Sequence, residues 1–205
     1  MNYNKHFRYA LLLVTLLFAF NSCSFSSKDQ LPALTDDYLV NAIGQETIAT
    51  ASTKVFIKEG FLHASKINSE AEQPSGLPCL FSITRVPSTL ITIGNNKTNL
   101  SLILVGQSIP KNAAVKAIPI ALLTLSADNI NLPIIIAVPA DPARRQFPAE
   151  DFASVEINHP EIIQTIELFF TNQDTLSTAS FLWQSEQEAY KLINSVQDKE
   201  QNQYN

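Results

Sequence analysis

Hydrophobic residues cluster over strand lengths through the middle of the chain and fall at helical spacing near its end. Residues 46–57 are rich in Thr, Ala, Val and Ile, which predicts two short strands with a turn near Ser52. Glu59-Gly60 lies between Val55-Phe56-Ile57 and Phe61-Leu62 and signals a hairpin. Residues 61–67 alternate weakly and predict the next strand. Residues 68–76 are polar and contain Pro74, Ser75 and Gly76, so they read as a loop. An ordered segment opens at 77–81 and closes at Pro87-Ser88-Thr89-Leu90. Residues 100–105 predict a short apolar strand, followed by a turn through Pro110. Residues 115–125 are apolar nearly throughout, with Pro119 as an interruption, and 134–138 have the length and apolarity of a buried strand. Many short strands at close spacing predict a small barrel.

The helical signals come last. Pro160 suits the first position of a helix, with Glu161 in its first turn. Ile162, Ile163, Ile166, Phe169 and Phe170 then form one stripe. Ser185-x-x-Glu188 has the spacing of a capping box, and Ala189, Leu192, Ile193 and Val196 follow on one face. Both stripes read as core, with Trp183 expected under the last helix. Leu102, Leu104, Ile135, Ala137, Ile166 and Phe169 are expected to share one core.

The N-terminus changes the picture. Lys5, His6 and Arg8 precede an apolar run over 9–20 and then Asn21-Ser22-Cys23. This is the pattern of a secretory signal, and the run is too short to span a membrane. A cysteine at the expected cut reads as a lipoprotein site, with residues 1–22 removed and Cys23 lipidated. Plain secretion, or an uncut anchor, is the alternative. Residues 23–37 then form a polar tether, 38–197 the folded domain and 198–205 a polar tail. Net charge is −5, and loss of Lys5 and Arg8 leaves 12 cations against 19 acids, or −7. That balance argues against nucleic acid as a partner, which needs basic surface. Partners are expected instead to be the membrane, through Cys23, and an envelope protein or small molecule. The expected location is the bacterial cell envelope. The only other cysteine, Cys79, follows Pro78 in an apolar setting and reads as a buried thiol.

The order of parts resembles that of the family I (soluble) inorganic pyrophosphatases over about residues 46–196. Its most specific carriers are residues 100–141, with Ile-Ala-Val-Pro-Ala-Asp-Pro at their end, and Ile-x-x-Phe-Phe at 166–170. Leu77-Pro78-Cys79 and Pro87-Ser88-Thr89-Leu90 resemble a further family segment. The resemblance implies an α+β, mainly β fold, an OB-like five-stranded β-barrel flanked by C-terminal helices. It also implies hydrolysis of pyrophosphate by a metal-bound hydroxide, with several Mg²⁺ ions held by carboxylates and the phosphates held by Lys, Arg and Tyr.

Most of that chemistry is replaced. No Asp or Glu occurs over 73–127. The family's aspartate signature falls on Asn96, Thr98 and Ser101. A second acidic pair falls near Ala127 and Leu132, with Asp128 one residue away. A family lysine becomes Ile134, and a late Tyr-Lys becomes Gln173-Asp174. Two site tyrosines fall on Leu77 and Phe81, and Lys-Tyr-Glu becomes Lys54-Val55-Phe56. Glu46, Lys54 and Lys66 remain as vestigial cleft positions, together with Asp128. Each also reads as an ordinary solvated residue, and Asp128-Asn129 is a loop signal first. Asp141 matches a structural turn. His63 and His159 lack ligand spacing, so no zinc site is expected.

Three functions follow as expectations. The first is an envelope-tethered pyrophosphatase-like domain without catalysis or cofactor, acting as a binding or structural module. The second is an active Mg²⁺-dependent diphosphatase. The third is a binder of a less charged ligand in the old cleft, lined by Phe56, Leu77, Phe81 and Ile134.

Overall fold

The computed structural model describes residues 31–47, 53–58, 61–66, 81–106, 109–127, 129–173 and 176–201. Ten strands, three α-helices and one short 3-10 helix (Pro142–Arg144) lie in these segments. The strands are β1 (Val40–Thr47), β2 (Thr53–Lys58), β3 (Phe61–Lys66), β4 (Phe81–Arg85), β5 (Ile91–Ile93), β6 (Asn96–Thr98), β7 (Ser101–Val105), β8 (Ala114–Ala127), β9 (Ile130–Pro139) and β10 (Ser180–Ser185). The helices are α1 (Phe152–Asn158), α2 (Pro160–Thr171) and α3 (Glu186–Gln201).

The main sheet has the order β1-β4-β7-β9-β8-β10, and β1 also pairs with β8. Five strands therefore pair in a ring, and β10 adds to β8 outside it. All pairings are antiparallel except β7 with β9. This is the OB-like architecture that the resemblance implied, with a mixed α+β composition. The core is made where the apolar runs meet. Leu102, Leu104, Leu123, Leu132, Ile135 and Ala137 are at most 1% exposed. β7 and β9 are buried on both faces, which is why their sequences read as unbroken apolar runs rather than alternations.

Pro119 does not interrupt its strand. β8 runs through it for 14 residues. On one side β8 pairs β1 over Ala114–Ala117 and then β10 over Ala121–Ser126. Pro119 falls in the gap where one neighbour gives way to the other. The register with β9 also shifts between Pro119 and Ala121. A residue without an N–H fits there because no ladder bond is demanded of it.

The hairpin signal at Glu59-Gly60 corresponds to β2 and β3, with Lys58 opposite Phe61. Residues 31–37, assigned to the tether, pack against the sheet. Ala33 is fully buried, its carbonyl accepts from Asn41 N, and Leu34 bridges Val40. At the other end α3 continues past 197 to Gln201.

α2 starts at Pro160 as expected, and Ile162, Ile166 and Phe170 are its buried residues. The stripe is turned slightly from its expected centre. Phe170 is fully buried, whereas Phe169 packs against the core only in part. Trp183 does not lie simply under the last helix. It stacks on Phe152 of α1 at 6.0 Å between centroids, and its Nε1 donates to Glu167 of α2 at 2.8 Å. α3 presents Ala189, Ile193 and Val196 to the core. Its Glu186 carboxylate accepts from Phe152 N, which leaves the first turn of α1 capped from a second element as well as by Asp151. No described helix is long and apolar enough to cross a membrane.

Candidate functional site

The three positions that stand for the aspartate signature lie on one short path. Asn96 and Thr98 are the ends of β6, opposite Ile93 and Ile91, and Ser101 opens β7. Ser101 pairs Arg85 on one side and Ile134 on the other. The fold thus brings the last signature position, the lysine position and a cation, Arg85, onto adjacent rungs. Arg85 is a residue that pattern reading passed over. It is a guanidinium at the end of the otherwise buried strand β4, and that is the signal that marks it.

Local hydrogen bonds make this corner rigid. Arg85 Nη1 donates to Asn99 Oδ1 at 3.5 Å, and Asn99 Nδ2 donates to the Thr89 carbonyl at 2.7 Å. Thr89 Oγ1 donates to the Val86 carbonyl at 2.7 Å and accepts from Leu100 N at 3.0 Å. Thr98 Oγ1 donates to the Asn99 carbonyl at 3.0 Å. The threonine hydroxyls are therefore spent on the backbone, as expected of buried polar groups.

Burial decides what the remaining positions can do. Leu132 and Ile134 are fully buried, Phe81 is 3% exposed and Ser101 6%. Phe81 meets Phe169 edge-on at 4.8 Å. At Phe81 and Ile134, the apolar cleft lining expected from the sequence is core packing. Gln173 turns its amide back to donate to the Phe169 carbonyl at 3.2 Å. In the ladder Lys54 stands opposite Ser65, Phe56 opposite His63 and Lys66 opposite Thr53, while Glu46 pairs Ile83 beside a bulge in β1. Leu77, Asp128, Asp174 and Cys23 lie outside the described residues.

This donor set does not fit a cluster of Mg²⁺ ions. Mg²⁺ at a highly charged site needs several anionic oxygens in near-octahedral geometry. Asn96, Thr98 and Ser101 carry no charge, Thr98 is nearly buried with its hydroxyl proton on the backbone, and Ile134 offers no donor. Among the described residues no three His, Cys, Asp or Glu side chains gather in a way that could hold a metal.

Comparison with solved structures agrees with this fold. An inorganic pyrophosphatase from Neisseria gonorrhoeae superposes with a TM-score of 0.60 at 17% identity, covering 85% of this chain and 99% of that one. This is the inorganic pyrophosphatase fold. The pyrophosphatase from Thermus thermophilus superposes at TM-score 0.61 and 14% identity, over 84% of this chain and 98% of the other. A truncated vacuolar soluble pyrophosphatase from Trypanosoma cruzi, solved in complex with pyrophosphate, gives 0.61 at 13%, over 85% and 78%. No family model and no curated protein matches the sequence. At these identities the pyrophosphatase likeness is one of backbone architecture, and the chemistry must be argued from this chain's own residues.

Proposed function

We propose that this chain is a pyrophosphatase-fold domain without diphosphatase activity, held at the bacterial envelope through a lipidated Cys23. It acts there as a binding or structural module. The observation that carries this reading is the state of the Asn96–Ser101 corner. Its donors are neutral, Thr98 is committed to the backbone, and Ile134 beside them is fully buried. Several metals would need anionic charge at that point, and the described residues there supply two cations, Arg85 and Lys97, and no carboxylate.

The test is phosphate release from pyrophosphate by the purified chain across Mg²⁺, Mn²⁺ and Zn²⁺. No release above background is expected. Metal-dependent turnover near the usual enzymatic range of roughly 1–1000 per second would refute the proposal. Ser101→Asp is expected to recover nothing, because residues that act as a unit do not restore function singly. The anchor is tested separately by intact mass of the membrane fraction. A mature chain with unmodified Cys23 removes that part of the proposal.

A second reading, a working Mg²⁺-dependent diphosphatase, draws its support from the fold neighbours, which are themselves pyrophosphatases. It requires Glu46 and Asp128 to be essential. Loss of turnover in Asp128→Ala would favour it.

A further inference from the structure

A pocket of about 300 Å³ opens where β7, β8 and β9 meet the turn after β9. Its deep wall is apolar, made by Leu104, Ile109, Val115 and Pro139. Lys116, Asp141 and Arg144 stand at its rim. Along β9 it lies five residues from Ile134, or roughly 16 Å at the rise of a strand. It is therefore separate from the Asn96–Ser101 corner.

The pocket is built, not incidental. Two glycines let its walls close. A Cβ on Gly106 would meet the Arg144 carbonyl at 2.9 Å, and this residue's φ of +152° also favours glycine. A Cβ on Gly44 would meet the Pro110 carbonyl at 2.5 Å, so Gly44 allows the segment carrying Ile109 to lie on β1. The rim turn is fixed as well. Arg145 Nε donates to the Pro139 carbonyl at 2.8 Å and its Nη2 to the Ala140 carbonyl at 3.1 Å. Ala140 N donates to the Lys116 carbonyl, and Asp141 Oδ1 accepts from Ala143 N. A pre-formed wall lowers the entropy lost when a ligand binds.

Charge at the rim selects the ligand. Lys116 is exposed and has no ion-pair partner among the described residues. Arg144 meets Asp141 at 3.7 Å, with both side chains more than half exposed, so that pair is weak. Two cations against one carboxylate favour a monoanion, and Asp141 disfavours a dianion such as phosphate. The geometry points to a binding site for a small amphipathic carboxylate, its alkyl part on Leu104, Ile109 and Val115 and its carboxylate between Lys116 and Arg144. The volume is at the lower limit for small-molecule sites, which suits a short acyl chain.

Calorimetric titration of the purified full chain with octanoate tests this, with 1-octanol, octylamine and inorganic phosphate as comparisons. Octanoate is expected to bind at one site, 1-octanol about tenfold more weakly, and phosphate and octylamine not measurably, since charge-assisted contacts carry the discrimination. The double variant Lys116→Gln/Arg144→Gln should lose about the same factor. Both residues are exposed, so the fold should survive, and circular dichroism checks it. Lys116→Glu/Arg144→Glu should exchange the preference toward octylamine. Absence of octanoate binding overturns the proposal. So does equal binding of 1-octanol, or undiminished binding by the double Gln variant.

Discussion

The two ends of β9 carry opposite solutions to the same problem. At its start, Leu132 and Ile134 are fully buried, and the neighbouring rung is Ser101 with its hydroxyl side chain nearly buried. At its finish, Pro139 and the turn beyond it are surrounded by Lys116, Asp141, Arg144 and Arg145. The first end is where the resemblance puts metals and phosphates, yet the span 73–127 holds no acid. At the second end the resemblance matches only a structural turn at Asp141, yet that end holds several charges, of which Asp141 and Arg145 are tied to the backbone. The difference teaches that charge sits in this fold where it serves the backbone or has access to water. Where a position lies in the core, an uncompensated charge would cost several kcal/mol, and this chain carries apolar residues there.

Restoring charge at the buried end gives the largest expected effect. Ile134→Lys puts an ammonium at a fully buried rung between β7 and β8. Unfolding free energy should fall by about 4–5 kcal/mol, the range reserved for buried unpaired charge. Urea denaturation measures it. A loss under about 1 kcal/mol would mean that the position opens to solvent as a working site would, and the contrast between the two ends would fail.

The aromatic layer under that end comes next. Phe170 is fully buried, whereas Phe169 is partly exposed and meets Phe81 edge-on. Phe170→Ala should cost about 3–5 kcal/mol. Phe169→Ala should cost about half as much, since part of its surface stays wet in the folded state. Equal losses would show that the two rings are buried alike, as their place on one stripe in the sequence suggested.

That one-residue rotation marks how far the sequence could be read. α2 was legible because Pro160 fixes its start and the stripe spans three turns. α1 was not, because seven residues carry too little period, although Asp151 and Ser154 mark its cap. β10 was hidden because it contributes no unbroken apolar run. None of its residues is buried, two are exposed, and it pairs β8 alone. The β5–β6 hairpin was not anticipated, although Gly94-Asn95 between Ile93 and Asn96 is a turn signal. The candidate site was legible as a list of substitutions but not as a place. Nothing in the order of residues says that Ile134 is packed, that Thr98 binds the backbone, or that Arg85 stands beside Ser101. Those facts depend on which strands become neighbours, and the parallel β7–β9 pair is remote in sequence.

The smallest expected change is at the charged end. Arg145 is mostly covered, at 14% side-chain exposure, and its head group serves the carbonyls of Pro139 and Ala140 while facing Glu150 at 3.6 Å. Glu150 is 80% exposed, so the ion pair itself contributes little. The carbonyls matter more. Pro139 is buried, and an acceptor left without a donor costs about 1–3 kcal/mol. Ala140 is partly exposed, and water can replace the lost donor there. Arg145→Ala should therefore destabilise by about 1–2 kcal/mol. Arg145→Lys should recover only part of this, because one ammonium on a flexible stem cannot hold two carbonyls as a planar fork does. Thermal denaturation of Arg145→Ala, Arg145→Lys and Glu150→Ala resolves the assignment. If Glu150→Ala costs as much as Arg145→Ala, the charge at this end serves the ion pair rather than the backbone. The turn after β9 would then owe its rigidity to Glu150, and the contrast between the two ends of the strand would lose its physical basis.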